Sequence, residues 1–457
     1  MTSAKRPAGM TSFTFVWFGQ VVSLLGTSMT GFALSIWAWQ ETGLATALAL
    51  VGFFRFGPAV LLSPLAGALV DRWNRKLVMM LSDMGAGLST AAVLVLYLSG
   101  NLEIWHLYLT GAVAGAFSAF HFPAYSAAVT MMVSKRHYAR ASGMLSLAES
   151  ASAIAAPLLA GVLLGPVGLV GILVLDLIAL ATALVILLVV HIPQPRRSEA
   201  GGEGRGSLLK ESLYGFRYIL ARPSLLGLQL VFFCINLTST FGNTVLAAMI
   251  LSRTGNDELA LGSVLSAGGV GGVAGGLLLS LWGGPRRRVH GVLLGMVFGS
   301  LLGQVLMGLG GSLPMWMLAS FLFVFFIPIL NGSNQAIWQA KVAPDVQGRV
   351  FATRRLIAQI TIPLAMLMAG PLADRVFEPA MMPGGALAAA FGPLVGTGPG
   401  AGMALMFVVA GLFGAAVGLG AYLFSAVRNA EDILPDHEEA AESAEGPGKA
   451  EAAGARG

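Results

Sequence analysis

The stretch Pro64-Leu65-Ala66-Gly67-Ala68-Leu69-Val70-Asp71-Arg72-Trp73-Asn74-Arg75-Lys76 decides how this chain folds. An apolar run ends in it, charged and polar residues crowd into a short turn, and a second apolar run begins at Leu77. A loop of about six residues between two membrane-length runs forces an antiparallel helical hairpin with its tip in water. Cations in such a short loop mark the cytoplasmic side of a membrane. Gly67 removes a side chain where the helix approaches a neighbour. Asn74 is expected in the left-handed conformation that Asn tolerates in turns.

Outward from that hairpin the composition is that of a membrane protein. The 457 residues are 56% hydrophobic and only 11% charged, against about 25% charged in soluble domains. The first apolar run is too long for a signal-peptide core and is retained as a span. The single cysteine, Cys234, excludes an internal disulfide and a cysteine-rich metal site. No phosphate-loop or other ATPase motif follows the Gly268–Gly272 run. Neither a metal, a cofactor nor an enzymatic activity is therefore expected.

A span needs about 20 apolar residues. Twelve are predicted, at roughly 13–40, 44–70, 77–100, 104–133, 142–165, 168–190, 224–250, 259–284, 290–312, 314–341, 350–374 and 400–426. All of the 27 Lys and Arg except Arg55, Arg253 and Arg375 then fall on the face that carries the N terminus. That asymmetry places both termini in the cytoplasm; the chain is expected in a bacterial inner membrane. The net charge of +5 resides in these loops, so it speaks for lipid headgroups and not for nucleic acid.

The expected fold is all-α, with twelve transmembrane helices in two six-helix bundles, residues 1–190 and 224–427. A linker, 191–223, joins them; Pro193 and Pro195 stop the sixth helix, a Gly-rich stretch follows, and Leu208–Leu220 forms an amphipathic helix on the membrane surface. Residues 428–457 form an acidic tail expected to be disordered. The halves look repeated: shifting the chain by 209 residues lays Arg140 on Arg349 and Ala160-Gly161 on Ala369-Gly370. The segment 375–399 reads as a long outer loop rich in Gly, Pro and Ala.

The hairpin tip resembles the signature loop of the major facilitator superfamily, Gly-x-Leu-Ala-Asp-Arg-x-Gly-Arg-Lys. Gly67, Leu69, Asp71, Arg72, Arg75 and Lys76 match in register, while Val70 and Asn74 depart from it. The stretch Pro344 to Val350 resembles a connection in the macrolide-efflux and siderophore-exporter branch. Ala153 to Gly161 is similar to a degenerate antiporter motif, which would pack helix 5 on helix 8 through Gly268, Gly272 and Gly276. The resemblance implies a proton-coupled antiporter that exports an amphipathic small molecule, an antibiotic, siderophore or drug, by alternating access. An importer or lipid flippase on the same scaffold, or a membrane sensor that does not transport, remains open.

In that superfamily helices 2 and 11 meet at the cytoplasmic face. The resemblance thus makes Asp71 a latch on the positive N-terminal end of helix 11, beside Arg354 or Arg355, with Arg72 and Arg75 nearby. Ionisable residues inside spans are costly, and each is a functional candidate. They are Arg55, Asp83, His121, Glu149 and Asp176. Glu149 is the preferred proton carrier, because an apolar bundle raises a carboxyl pKa towards neutrality; pairing with Arg140 is the alternative. By the superfamily's arrangement Arg55, His121 and Glu149 reach the cavity, whereas Asp83 and Asp176 lie on outer helices. Contacts to substrate are expected from Gln20, Thr27, Phe32, Tyr125, Asn236, Thr240, Asn243, Asn331, Asn334, Gln335 and Trp338, on helices 1, 4, 7 and 10.

Overall fold

The computed structural model describes residues 9–70, 73–134, 137–192 and 208–433. Within them the chain is a succession of helices: α1 (Gly9–Thr42), α2 (Ala45–Val70), α3 (Arg75–Leu98), α4 (Ile104–Met132), α5 (Tyr138–Val189), α6 (Leu208–Leu220), α7 (Pro223–Thr254), α8 (Glu258–Trp282), α9 (Arg288–Phe298), α10 (Leu313–Lys341), α11 (Pro344–Leu372), α12 (Ala388–Val395) and α13 (Ala401–Ala421). Ten helical stretches are long and apolar enough to cross a membrane. One of them, in the 52-residue α5, is broken at Gly168 (φ 63°, ψ −176°) into two arms of span length. Only glycine adopts that backbone geometry without strain. With the second arm of α5 and the 29-residue α4, the helices are consistent with twelve crossings.

The ends of these helices follow local chemistry. Pro223 and Pro344 open α7 and α11 at the first helical turn, where a missing N–H costs nothing. Asp257 caps α8 by accepting from the Ala260 N–H at 2.9 Å. Asn74 does the same for α3, accepting from Leu77 N–H at 3.2 Å. Its φ of −68° is extended and not left-handed as expected, because an N-cap residue has to stand outside the helix with its side chain folded over the first turn. The segment after α11 is also not a plain loop. The helix widens into a π-turn over Ala373–Phe377, continues through Glu378–Met381, and is followed by α12.

Leucines and valines such as Leu61, Val189 and Leu281 are 76% to 87% exposed. In water so much bare apolar surface is a liability; in a bilayer it is the lipid-facing shell. Burial therefore follows contacts between helices. One apolar core sits at the face where α1 ends. It joins Trp39, Ala45, Leu107 and Ala160 of the first half to Leu251, Leu261, Ala369 and Ala401 of the second. At the face where α1 begins the cores are separate. Phe13, Val78, Met132 and Leu187 build one from the first half alone, Leu228, Val292, Ile337 and Val427 a second from the other half, and Ile219, Leu225, Trp338 and Val350 a third beside it. The two halves are thus welded at one face and parted at the other.

The weld has two seams, α5 on α8 and α2 on α11. In the first, a Cβ on Gly161 would stand 2.8 Å from the Glu258 carbonyl oxygen, and one on Gly262 2.5 Å from that of Pro157. Further along, Gly269 lies against Ile154, and the Ser266 hydroxyl donates to the Ile154 carbonyl at 2.6 Å. The glycines that face α5 are therefore Gly262 and Gly269. Gly268 and Gly272 face Ser320 and Val324 of α10, and Gly276 meets open space. Four-residue spacing locates a helix stripe but not the neighbour it meets.

The amphipathic α6 packs on α11. Gly215 lies against Thr353 and Arg349, and the Arg349 guanidinium stands 5.4 Å from the Tyr214 ring. Ile219 and Leu225 close over Trp338, Val342 and Val350. This helix is attached to the second half and not merely laid on a membrane.

Candidate functional site

Inside the first half lies a cavity of about 330 Å³. Helices α1 to α5 all contribute to it: Gln20 and Thr27, Arg55, Asp83, His121 and Tyr125, and Glu149. The cluster at its wall is built around Asp83. One carboxylate oxygen accepts from Gln20 Nε2 of α1 at 3.2 Å. The other stands 3.2 Å from His121 Nε2 of α4. That nitrogen makes no aligned hydrogen bond, so the link depends on charge and exists only with His121 protonated and Asp83 ionised. The Tyr125 ring lies 6.0 Å from that of His121, and its buried hydroxyl has no hydrogen-bond partner among the described residues. Glu149 is exposed to the cavity, and no ion pair, with Arg140 or another cation, is described for it.

Asp83 was expected away from the cavity. It reaches in because small residues, Ser82 and Ala86, flank it on α3 and leave the wall open there. Asp176 differs. It is 2% exposed, and its two oxygens accept from Thr27 of α1 at 3.1 Å and Thr90 of α3 at 3.0 Å. It clamps three helices and does not line the cavity. Arg55 lines the cavity and feels the charge of Asp176. Its guanidinium passes α1 at Gly31, where a Cβ would stand 2.8 Å from it.

A second cleft, about 650 Å³, opens between α2 and α4 on one side and α11 on the other. Phe56, Ser63 and Phe122 face Arg349, Arg355 and Gln359 across it, and Phe216 of α6 contributes to the wall. Ser118 and Phe122 line both spaces, so the cavity and the cleft adjoin.

The expected latch is only partly in view. Asp71 and Arg72 lie outside the described residues, as do the surroundings of Gly67. Arg75 donates to the Ala127 carbonyl of α4 at 3.0 Å, within its own half. Arg354 donates to Gln335 of α10 at 2.9 Å and stands 5.2 Å from the Trp338 ring. Arg355 faces the cleft.

Of the expected substrate contacts, Gln20, Thr27 and Tyr125 line the cavity. Phe32 does not; it belongs to the core of the welded face. Trp338 is fully buried under α6, with its indole N–H donating to Asn334 at 3.0 Å. Asn236 donates back to the Phe232 carbonyl at 2.8 Å. Thr240 is half-buried on α7 and its carbonyl accepts from the Thr244 hydroxyl; Asn243 and Asn331 are exposed. Neither cavity includes them. Trp17, Ser118 and Phe122 line the cavity without having been singled out; all three sit a helical turn or less from residues that were.

A helical membrane bundle with a largely apolar cavity that holds a few ionisable groups at span depth, closed at one face and cleft at the other, is the architecture of a transporter. A sequence model of the Major Facilitator Superfamily matches residues 16–366, and the chain belongs to that family. Macrolide efflux protein A of Streptococcus pyogenes is 24% identical over 378 residues, covering 80% of this chain and 90% of that protein. The enterobactin exporter EntS of Escherichia coli O6:K15:H31 is 23% identical over 315 residues, 67% of this chain and 71% of that one. A bacterial homologue of the human lysosomal transporter Spinster, solved in an inward-facing and unoccupied conformation, superposes with a TM-score of 0.66 at 16% identity, covering 92% of this chain and 98% of that chain.

Proposed function

We propose that the protein is a proton-coupled exporter of an amphipathic small molecule in the bacterial inner membrane, with both termini in the cytoplasm. Its two bundles, residues 1–190 and 224–427, rock about the space between them. The observation that carries this reading is the placement of Asp83, His121 and Glu149 on one cavity that adjoins an interhalf cleft. Cargo enters from the cytoplasmic cleft, where aromatic and cationic side chains meet it. Protonation of Asp83 removes its attraction for His121 and slackens the tie from α3 to α1 and α4. Glu149, open to the cavity, loads the second carboxylate site. The membrane potential adds about 2.3 kcal/mol per charge per 100 mV. The distribution of Lys and Arg supports the orientation, and the names of the macrolide and enterobactin relatives support export of bulky solutes.

The test is accumulation in inverted vesicles carrying the purified protein, with macrolides and catecholate siderophores as probes. An acid lumen is expected to drive probe inward against its gradient, and a protonophore to abolish the gain. Accumulation that ignores the protonophore, or none for either class, overturns the reading.

A further inference from the structure

The first turn of α2 carries no cap of its own. Leu44 precedes it, and the Thr42 hydroxyl is engaged by the Leu44 N–H at 3.2 Å. A helix start leaves backbone N–H groups without partners, and here they are met from the other half of the molecule. Asp374 Oδ1 accepts from Ala45 N–H at 2.9 Å, and Oδ2 from Thr46 N–H at 2.8 Å. Two charge-assisted bonds thus converge on the positive end of the α2 dipole. The α8 start, at the other seam, uses Asp257 from its own loop instead. Asp374 is aimed by the π-turn Ala373–Phe377, and Gly370 one turn earlier lets α11 approach so closely that a Cβ there would stand 2.6 Å from Thr46 Cα.

The sequence around Asp374 bears on its role. Gly370-Pro371-Leu372-Ala373-Asp374-Arg375 has the same pattern as Gly67-Ala68-Leu69-Val70-Asp71-Arg72. Each hexapeptide falls where its helix ends: the first at the end of α2, the second at the end of α11. The two helices run in opposite directions side by side, with Thr46 against Gly370, Gly52 against Met366 and Ser63 across the cleft from Leu356. The end of α2 lies by the start of α11, and the end of α11 by the start of α2.

We propose that Asp374 is the outer latch of the transport cycle, the counterpart of Asp71 on the opposite end of the same helix pair. Asp374 caps the first turn of α2, and the resemblance gives Asp71 the matching role at the start of α11. Asp374 holds the halves together at the outer face while the cytoplasmic cleft is open; opening outward has to break both of its bonds. The assignment of this face as the outer one rests on the proposed orientation; the latch itself rests on the geometry.

The test is a distance measurement on the full chain in lipid nanodiscs, with Cys234→Ala as background and spin labels at Asn101→Cys and Met382→Cys. Both positions are exposed at the latched face, one in each half. The parent is expected to show one short population. Asp374→Ala is expected to raise a wider population by about tenfold or more, since a hydrogen bond to a charged group is worth about that factor. Asp374→Asn, which keeps an accepting oxygen, falls between. Ala45→Pro leaves Asp374 intact and deletes one donor at the helical position where proline is tolerated; it is expected to act in the same direction. Unchanged distances in both Asp374→Ala and Ala45→Pro overturn the latch. Wider distances without driven export in vesicles leave the latch standing and refute the exporter; unchanged distances with driven export do the reverse.

Discussion

Asp83 holds two tethers of different kinds. The bond from Gln20 survives protonation of Asp83 in weakened form, while the attraction to His121 exists only between charges. Asp83→Asn therefore keeps a neutral hydrogen-bond partner for Gln20 and removes the charge. Proton-driven accumulation in vesicles is expected to fall at least tenfold, while exchange of labelled for unlabelled probe across de-energised vesicles stays within about twofold of the parent. Full loss of both would mark Asp83 as a packing residue instead. Glu149 has no described ion pair, so Glu149→Gln costs little stability. It is expected to flatten the pH profile of transport, and an unaltered profile would assign the second proton site elsewhere. Sequence alone ranked Glu149 above Asp83 because Asp83 sits on a helix expected at the rim. The small neighbours Ser82 and Ala86 were the signal that this wall is thin. The polar residues of α7 and α10 line neither of the two spaces described, and there is a physical reason why sequence cannot sort them. Inside a membrane Asn, Thr and Trp satisfy themselves on their own helix, as Asn236 and Trp338 do, and nothing in their spacing separates that from a cavity contact.

Among the elements, the hairpins and the break inside α5 were legible because run length and turn residues set them: Gly168 lies where two span-length runs abut. The α6 helix was legible from its two-faced pattern, and its range matches Leu208–Leu220. Which helix meets which was not, because lipid and protein neighbours are equally apolar and a membrane helix shows little contrast between its faces. The glycines of α8 make this testable. Gly269 meets Ile154 of α5, with a Cβ position only 2.5 Å from its side chain, while Gly276 has open space. Gly269→Leu is expected to cost about 1–3 kcal/mol through overpacking, read as a lower melting temperature in detergent. Gly276→Leu, on the same helix two turns away, is expected to melt with the parent. Equal melting of the two would mean that the α5–α8 seam does not hold the halves together.

At the scale of the whole molecule, one core spans both halves at one face, while the cores at the other stay separate and none crosses between the bundles. A rigid pair of bundles cannot be welded at both faces while holding a central cavity open to either. Closing the cleft between α2 and α11 must therefore loosen the contacts of Gly370 and Asp374 with the start of α2. Cysteines at Ser63 and Leu356 report on the cleft, since both line it from opposite sides. In a Cys234→Ala background, oxidative cross-linking of this pair is expected to be slow in the resting protein. Asp374→Ala should speed it, because weakening the welded face shifts population towards the state in which the cleft is closed. Asp71→Asn should slow it and slow transport, if the carboxylate at the hairpin tip favours that closed state, while leaving binding of cargo intact. The two substitutions thus push one equilibrium in opposite directions, and a coupled pair of latches demands that the double variant return towards the parent rate. Independent, same-direction effects would show that the halves flex locally and do not rock as bodies.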